Sequence, residues 1–202
     1  MVGPALPRDF YLRDPAIVAR ELLGKILCRE TSAGLCSGRI VEVEAYLSSR
    51  DPACHASRGL TNRNKAMFGP AGHAYVYMIH SRWCLNAVTE PAGISSAVLI
   101  RAIEPLVGLE FMRQRRRTDV VRDLTRGPAR LCEALAIDRT YDHWDLTSGR
   151  ELWIAAVAGA SASKIRIGRS GRIGISSAQR RLLRFFEIGN RFVSGRTAAN
   201  KS

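Results

Sequence analysis

The 202-residue sequence predicts an α+β fold: a single domain with a curved, mostly antiparallel sheet, helices packed on it and a protruding β-hairpin. Three observations predict it. Strand-like runs succeed one another within 25–47 and within 75–103 with no helix between them, as antiparallel neighbours do. Helix starts at Asp14-Pro15 and Gly127-Pro128 stand apart from those runs. A polar corner at His80-Ser81-Arg82 joins two aromatic-rich segments. Composition, 46% hydrophobic and 24% charged, is that of a globular chain, without repeat, low-complexity linker or domain boundary.

Residues 1–13 read as a loosely ordered lead-in. Asp14 caps and Pro15 opens a helix whose Ile17, Val18, Leu22 and Leu23 share a face, and Gly24 ends it. A first strand follows at 25–30, turned by Ser32-Ala33-Gly34 into a second at 38–47. There Val41, Val43, Ala45 and Leu47 make an oily face, and Glu42, Glu44 and Tyr46 lie on the other. Two carboxylates inside an apolar strand are costly without partners. They mark either a pocket wall or the wet side of an edge strand.

Residues 48–73 form a long polar loop carrying Asp51, Cys54, His55, Arg58, Thr61, Arg63 and Asn64 among glycines. A loop of this length in a compact domain is functional or disordered, and these residue types suit wrapping a phosphate or lining a pocket. The spacing of Asp51, Cys54 and His55 matches no metal site, so no metal is expected. The hairpin comes next, with strands at 75–79 and 83–88. Tyr75, Tyr77 and Ile79 share one face, and Cys84, Asn86 and Val88 share one on the partner strand. Such a hairpin is ordinary packing or, with imidazole and guanidinium at its tip, a probe for a nucleic-acid groove.

A strand at 97–103 has Arg101 as its only charge, which calls for Glu42 or Glu44 as partner. Pro105 is expected to open a helix through Leu106, Leu109 and Met112, ending in the basic run 113–117, where positive charge complements the helix dipole. The Gly127-Pro128 helix runs to Leu135, with first-turn amides able to hold a phosphate. After a loop at 138–150, strands are expected at about 151–158, 163–168, 171–175 and 183–188, with a tight apolar turn at Arg172-Ile173-Gly174-Ile175.

Charge narrows the function. Lys and Arg number 31 against 18 Asp and Glu, a net +13. Residues 1–110 carry 12 basic and 10 acidic groups, and residues 111–202 carry 19 and 8. Such an excess implies a polyanionic partner, nucleic acid first. No apolar run is long enough to span a bilayer and no signal peptide opens the chain, so a cytoplasmic protein is expected. Five widely spaced cysteines without a Cys-x-x-Cys argue for reduced thiols and against structural zinc.

With these residues in view, the chain resembles the alkyladenine (3-methyladenine) DNA glycosylases that do not use a helix-hairpin-helix. The resemblance rests on Val41-Glu42-Val43-Glu44-Ala45-Tyr46, on His55-Ala56-Ser57-Arg58-Gly59 with Arg63-Asn64 and Met67-Phe68, and on Tyr75-Val76-Tyr77 ending in Asn86. Leu99 to Pro105 and Gly127-Pro128 with Leu131-Cys132 complete it, in the family's order. It implies a monofunctional enzyme that hydrolyses the N-glycosidic bond of flipped alkylated or deaminated purines in double-stranded DNA, without a cofactor and as a monomer. Glu44 is implied as the general base at the floor of a ring-lined cleft, with Arg101 helping it and the water and the main-chain carbonyl of Ile173 as a further ligand of that water. Tyr46, His55 and Tyr77 are implied as aromatic walls, and Asn86 as the group that rejects normal guanine. His80 falls at the family's intercalating wedge, with Arg82, Arg58 and Arg63 as DNA contacts.

Departures from the family pattern sit mainly at the hairpin tip, where His80 and Ser81 replace the more usual Tyr and Gly and Arg82-Trp83 is atypical; 169–181 is also unusually basic. Lys65 is the only lysine between Lys25 and Lys164, which disfavours a Schiff base and leaves water as nucleophile. Two rivals remain open at this level: a nucleic-acid-binding module without turnover, and a glycosidase or nucleosidase acting on small substrates through Glu42 and Glu44. The arginine excess of the C-terminal half disfavours the second.

Overall fold

A computed structural model describes residues 2–157 and 165–195. In chain order the elements are β1 (Val2–Ala5), α1 (Arg8–Tyr11), α2 (Pro15–Leu22), β2 (Ile26–Thr31), β3 (Gly34–Leu47), β4 (Ala74–Ile79), β5 (Arg82–Thr89), β6 (Ser96–Val107), α3 (Leu109–Arg116), α4 (Pro128–Ala134), β7 (Leu152–Val157), β8 (Ile167–Ser170) and β9 (Arg184–Glu187). The strands join in one sheet, in the order β1-β7-β2-β3-β6-β5-β4. The expected α+β class holds.

β3 is the centre of this sheet, not an edge. Its first half pairs with β2, residues 42–44 pair with β9, and its other side pairs with β6 from Ser37 to Leu47. Gly38 permits the close approach to β6, since a Cβ there would lie 2.7 Å from the Glu104 carbonyl oxygen. The register shifts on both sides of Glu42, so the simple alternation expected of this strand fails at one residue. Val43, Ala45 and Leu47 join the main core, whereas Val41 packs with Ala102, Phe186, Phe192 and Val193. A bulge inserts one residue and re-aims its neighbours.

The main core lies between one face of the sheet and the helices. Val18, Ala19 and Leu22 of α2 and Leu131 and Cys132 of α4 pack there against Leu27, Ile40, Ile100 and Leu85. α2 begins as expected, with the Asp14 side chain accepting from the Ala16 amide and Pro15 at its first position. Ile17, though, is exposed. The opposite face of the sheet is left for Glu42, Glu44, Tyr46, Tyr75, Tyr77 and Asn86.

Several expectations are corrected. Residues 2–13 are not a loose lead-in: β1 pairs antiparallel with β7, Tyr11 is fully buried, and Arg8 donates to the Ala71 carbonyl and to Asp145. Pro4 is tolerated because β1 is an edge strand. Pro105 does not open a helix but continues β6, opposite Gly38. β5 has stopped pairing at Leu99, so β6 has lost that neighbour there and a missing N–H is cheap. α3 begins after Gly108, whose φ of 76° is left-handed. Finally, 171–175 forms no strand. The Ile173 amide is given to the Glu44 carboxylate and so is not free for a ladder. The strand expected at 163–168 begins only at Ile167 and runs to Ser170 as β8, while residues 163 and 164 lie outside the described residues.

Candidate active site

The face of the sheet turned away from the helices carries a cavity of about 760 Å³, lined by Tyr46, His55, Tyr77, Asn86, Arg101 and Ile173 among others. Five of these sit on four adjacent strands or the loop beside them. Tyr46 is on β3, Tyr77 on β4, Asn86 on β5 and Arg101 on β6, while His55 comes from the long loop. Their side chains converge because alternate residues of neighbouring strands face one way.

Glu44 lies directly behind this lining and has no exposed surface. It is therefore beneath the cleft floor rather than on it. Three lining residues hold its carboxylate. The Ile173 amide donates to Oε1 at 2.8 Å, the Tyr46 hydroxyl donates to Oε2 at 2.9 Å, and an Arg101 terminal nitrogen lies 3.2 Å from Oε1. Ile173 meets Glu44 through its main-chain amide. A carboxylate offers about four acceptor positions; the Tyr46 and Ile173 hydrogen bonds fill two, and the Arg101 contact is an ion pair.

Arg101 is held from behind by Glu42. Its Nε donates to Glu42 Oε1 at 2.8 Å, and a terminal nitrogen donates to Ser194 Oγ at 3.2 Å. Glu42, also fully buried, takes further bonds from Arg184 Nε at 2.7 Å and from the Ser194 amide and hydroxyl at 2.6 and 2.9 Å. Burial alone would lower the basicity of Arg101, but the charges of Glu44 and Glu42 outweigh it and raise its pKa. The cation is secure, as a buried charge must be when it is fully paired.

The rings form a connected wall. His55 and Tyr77 meet edge to face with centroids 4.5 Å apart, and Tyr77 stacks on Tyr75 at 5.2 Å. His55 Nδ1 lies 3.0 Å from the Tyr75 hydroxyl. Because His55 and Tyr77 touch, no ring fits between those two. Burial pushes the phenols of Tyr46 and Tyr77 far above their ordinary value, with the Glu44 charge adding to the effect at Tyr46 and Cys84 at Tyr77. Both stay neutral. Partial burial, then the positive charge of Arg63, holds the His55 imidazole below its usual value, although one side of it remains open. Asn86 sits opposite Tyr75 in the β4–β5 ladder and donates Nδ2 to the Tyr75 carbonyl at 3.0 Å.

The hairpin closes on His80 and Ser81, both exposed, with φ of 46° and 59°. Two left-handed residues are the signature of a type I′ turn, which glycine or asparagine usually occupies. Arg58 lines the cavity. Arg63 lies outside its lining and donates to the Met78 carbonyl at 2.5 Å, while Arg82 pairs with Glu133 at 2.9 Å. The expected residues thus divide into a cavity group, with Glu44 behind it, and an outer group at the hairpin.

Four contributors escaped the sequence reading: Asp51, Arg172, Arg184 and Ser194. Arg184 carried a signal, an arginine leading the apolar Phe185-Phe186, by the same rule that singled out Arg101. The Asp51–Arg172 pair carried none, being 121 residues apart. Among the described residues no cluster of three metal-ligating side chains occurs, and no helix is long and apolar enough to cross a membrane.

Known proteins resemble this chain in sequence. The sequence model described as Methylpurine-DNA glycosylase (MPG) matches residues 9–191. A protein of Mesorhizobium japonicum is 46% identical over 193 residues, covering 95% of this chain and 91% of the relative. One of Carboxydothermus hydrogenoformans is 45% identical over 190 residues, covering 94% and 98%. One of Legionella pneumophila (strain Corby) is 46% identical over 193 residues, covering 94% and 97%. All three bear the name "Putative 3-methyladenine DNA glycosylase". With a match running through every strand that builds the cavity, the chain belongs to the methylpurine-DNA glycosylase family, the DNA repair hydrolases that cut the N-glycosyl bond of alkylated purines.

Proposed function

We propose that this enzyme releases 3-methyladenine, and with it 7-methylguanine, hypoxanthine and ethenoadenine, from double-stranded DNA, leaving an abasic site. It acts as a monomer in the cytoplasm and uses no cofactor. The observation that carries this reading is a carboxylate held by two hydrogen bonds and an ion pair immediately behind a ring-lined cavity.

A purine stacked in a duplex hides its sugar bond, so it must first be turned out, at a cost of a few kcal/mol. His80 at the hairpin tip enters the gap left behind and offsets part of that cost. The extruded base lies in the cavity against Tyr46 on one side and the His55–Tyr77 pair on the other. Neutral, electron-rich rings attract a purine made cationic by alkylation. Asn86, fixed by the Tyr75 carbonyl, excludes the exocyclic amine of normal guanine.

Breaking the bond to C1′ develops oxocarbenium character. Glu44 stabilises that charge and takes the proton of the attacking water, as the base does in inverting glycosidases. Water reaches it through an unfilled acceptor position or by displacing one of the groups that hold it. Arg101 keeps Glu44 oriented, and Glu42 keeps Arg101. Among the described residues no lysine lines the cavity, which favours water over an amine as nucleophile. Arg58, Arg63 and Arg82 contact DNA around the mouth.

The test is base release from methylated duplex DNA by wild type and Glu44→Gln. Loss of about 100-fold or more is expected for removal of a general base. Excision at the wild-type rate would remove Glu44 from this role.

A further inference from the structure

One buried ion pair stands outside the cavity lining yet touches three of the segments that build it. Arg172 grips Asp51 with both terminal nitrogens, at 2.5 and 2.7 Å, and neither side chain has any exposed surface. Buried pairs of this kind are weak contributors to stability, often matched by apolar residues of the same volume. The Arg172 Nε has no acceptor among the described residues. The pair therefore asks for another role.

Its surroundings supply one. The Arg172 guanidinium donates to the Ala45 carbonyl at 3.0 Å and lies 4.6 Å from the centre of the Tyr46 ring. Asp51 accepts from the Leu47 amide at 3.3 Å and the Ala53 amide at 3.2 Å, at the root of the loop that carries His55. The next residue in the chain is Ile173, whose amide meets Glu44 at 2.8 Å. Charge and hydrogen bonds from Arg172 overcome the burial of Asp51 and keep it ionised.

We propose that Arg172, clamped by Asp51, is a positioning residue for base excision: it ties the Tyr46 ring, the His55 loop and the Ile173 amide on Glu44 into one rigid unit. Enclosed as it is, Arg172 touches neither DNA nor base and acts only through those three. The proposal rests on the assignment of Glu44 as general base.

The experiment is single-turnover base release from methylated duplex DNA with enzyme in saturating excess, alongside affinity for undamaged duplex. Arg172→Gln, Arg172→Lys and Asp51→Asn are each expected to lower the rate constant about 100-fold, the cost of misplacing reacting groups by about 1 Å. Affinity for undamaged DNA should stay within about threefold, because no phosphate contact is lost. The Asp51→Asn/Arg172→Gln double variant should be no slower than the slower single one, as members of one unit are not additive. A merely structural role would lower the fraction of active molecules and the melting temperature but not this rate constant. Where Arg172→Gln does not fold, Arg172→Lys, which keeps the charge, decides the matter. Wild-type rate constants in Arg172→Lys and Asp51→Asn, or multiplicative losses in the double variant, would overturn the proposal. Glu44→Gln separates the two readings. If it is inactive while the Arg172 variants are fast, only the positioning role fails, and if it is fast, the general-base assignment fails.

Discussion

Asn86 shows how a single side chain in this site is fixed by its own neighbour. Its amide is committed to the carbonyl of Tyr75, directly across the ladder, so the group facing the cavity cannot rotate freely. Asn86→Ala opens room for an exocyclic amine and is expected to raise release of normal guanine from undamaged DNA, measured by chromatography of freed bases. An unchanged guanine yield would remove its gatekeeping role. Asp51 gives a pH prediction of definite sign. Its folded carboxyl is held below the unfolded value, so its stabilisation is complete above about pH 4 and is lost as pH falls through the lower folded value. Asp51→Asn should lose about 3–5 kcal/mol at neutral pH and show a shallower acid decline in urea unfolding. Legibility at this scale followed the range of the interaction. Glu44 and Tyr46, two residues apart on one strand, announce their shared face, and Arg101 announces its need for a carboxylate. Arg172 makes the same kind of contact, but nothing short-range marks Asp51 as its partner.

Among the elements, the β4–β5 hairpin is the part whose geometry can be tested alone. A type I′ corner built from His80 and Ser81 places two L-residues in left-handed conformations, each carrying a steric cost of about 1–2 kcal/mol relative to glycine. Ser81→Gly should therefore stabilise the protein by up to about 1 kcal/mol in thermal unfolding. His80→Ala should leave the fold intact and weaken flipping, read as a smaller rise in 2-aminopurine fluorescence on binding. Unchanged fluorescence would remove the wedge. Element boundaries were readable where side chains set them, as at Asp14-Pro15 and Gly127-Pro128. They were misread where the sheet overrides local signals. Pro105 marks a helix start by any local rule, yet β6 carries it past Leu99 because β3 continues to pair on its other side. The 171–175 stretch fails as a strand because its donor serves Glu44.

For the molecule as a whole, charge and connectivity decide behaviour. The excess of 31 basic over 18 acidic groups predicts that affinity for undamaged duplex falls linearly with salt on logarithmic axes. With six or more phosphates neutralised the loss is about 10³-fold between 50 and 200 mM. Fluorescence anisotropy across that range measures it, and a flat response would deny the basic half a part in binding. The α+β class and the hairpin were readable from the grouping of strands, and the charge from composition. The branching of the sheet at β3 was not, since β9 reaches it from more than a hundred residues away. That branching has a consequence for how the enzyme fails. The strand bearing Glu42 and Glu44 is flanked by β6 on one side and by β2 and then β9 on the other, so its amides exchange with solvent only when the domain opens as a unit. Heat should then extinguish repair and structure together, with no temperature window in which an otherwise native molecule has a frayed catalytic strand.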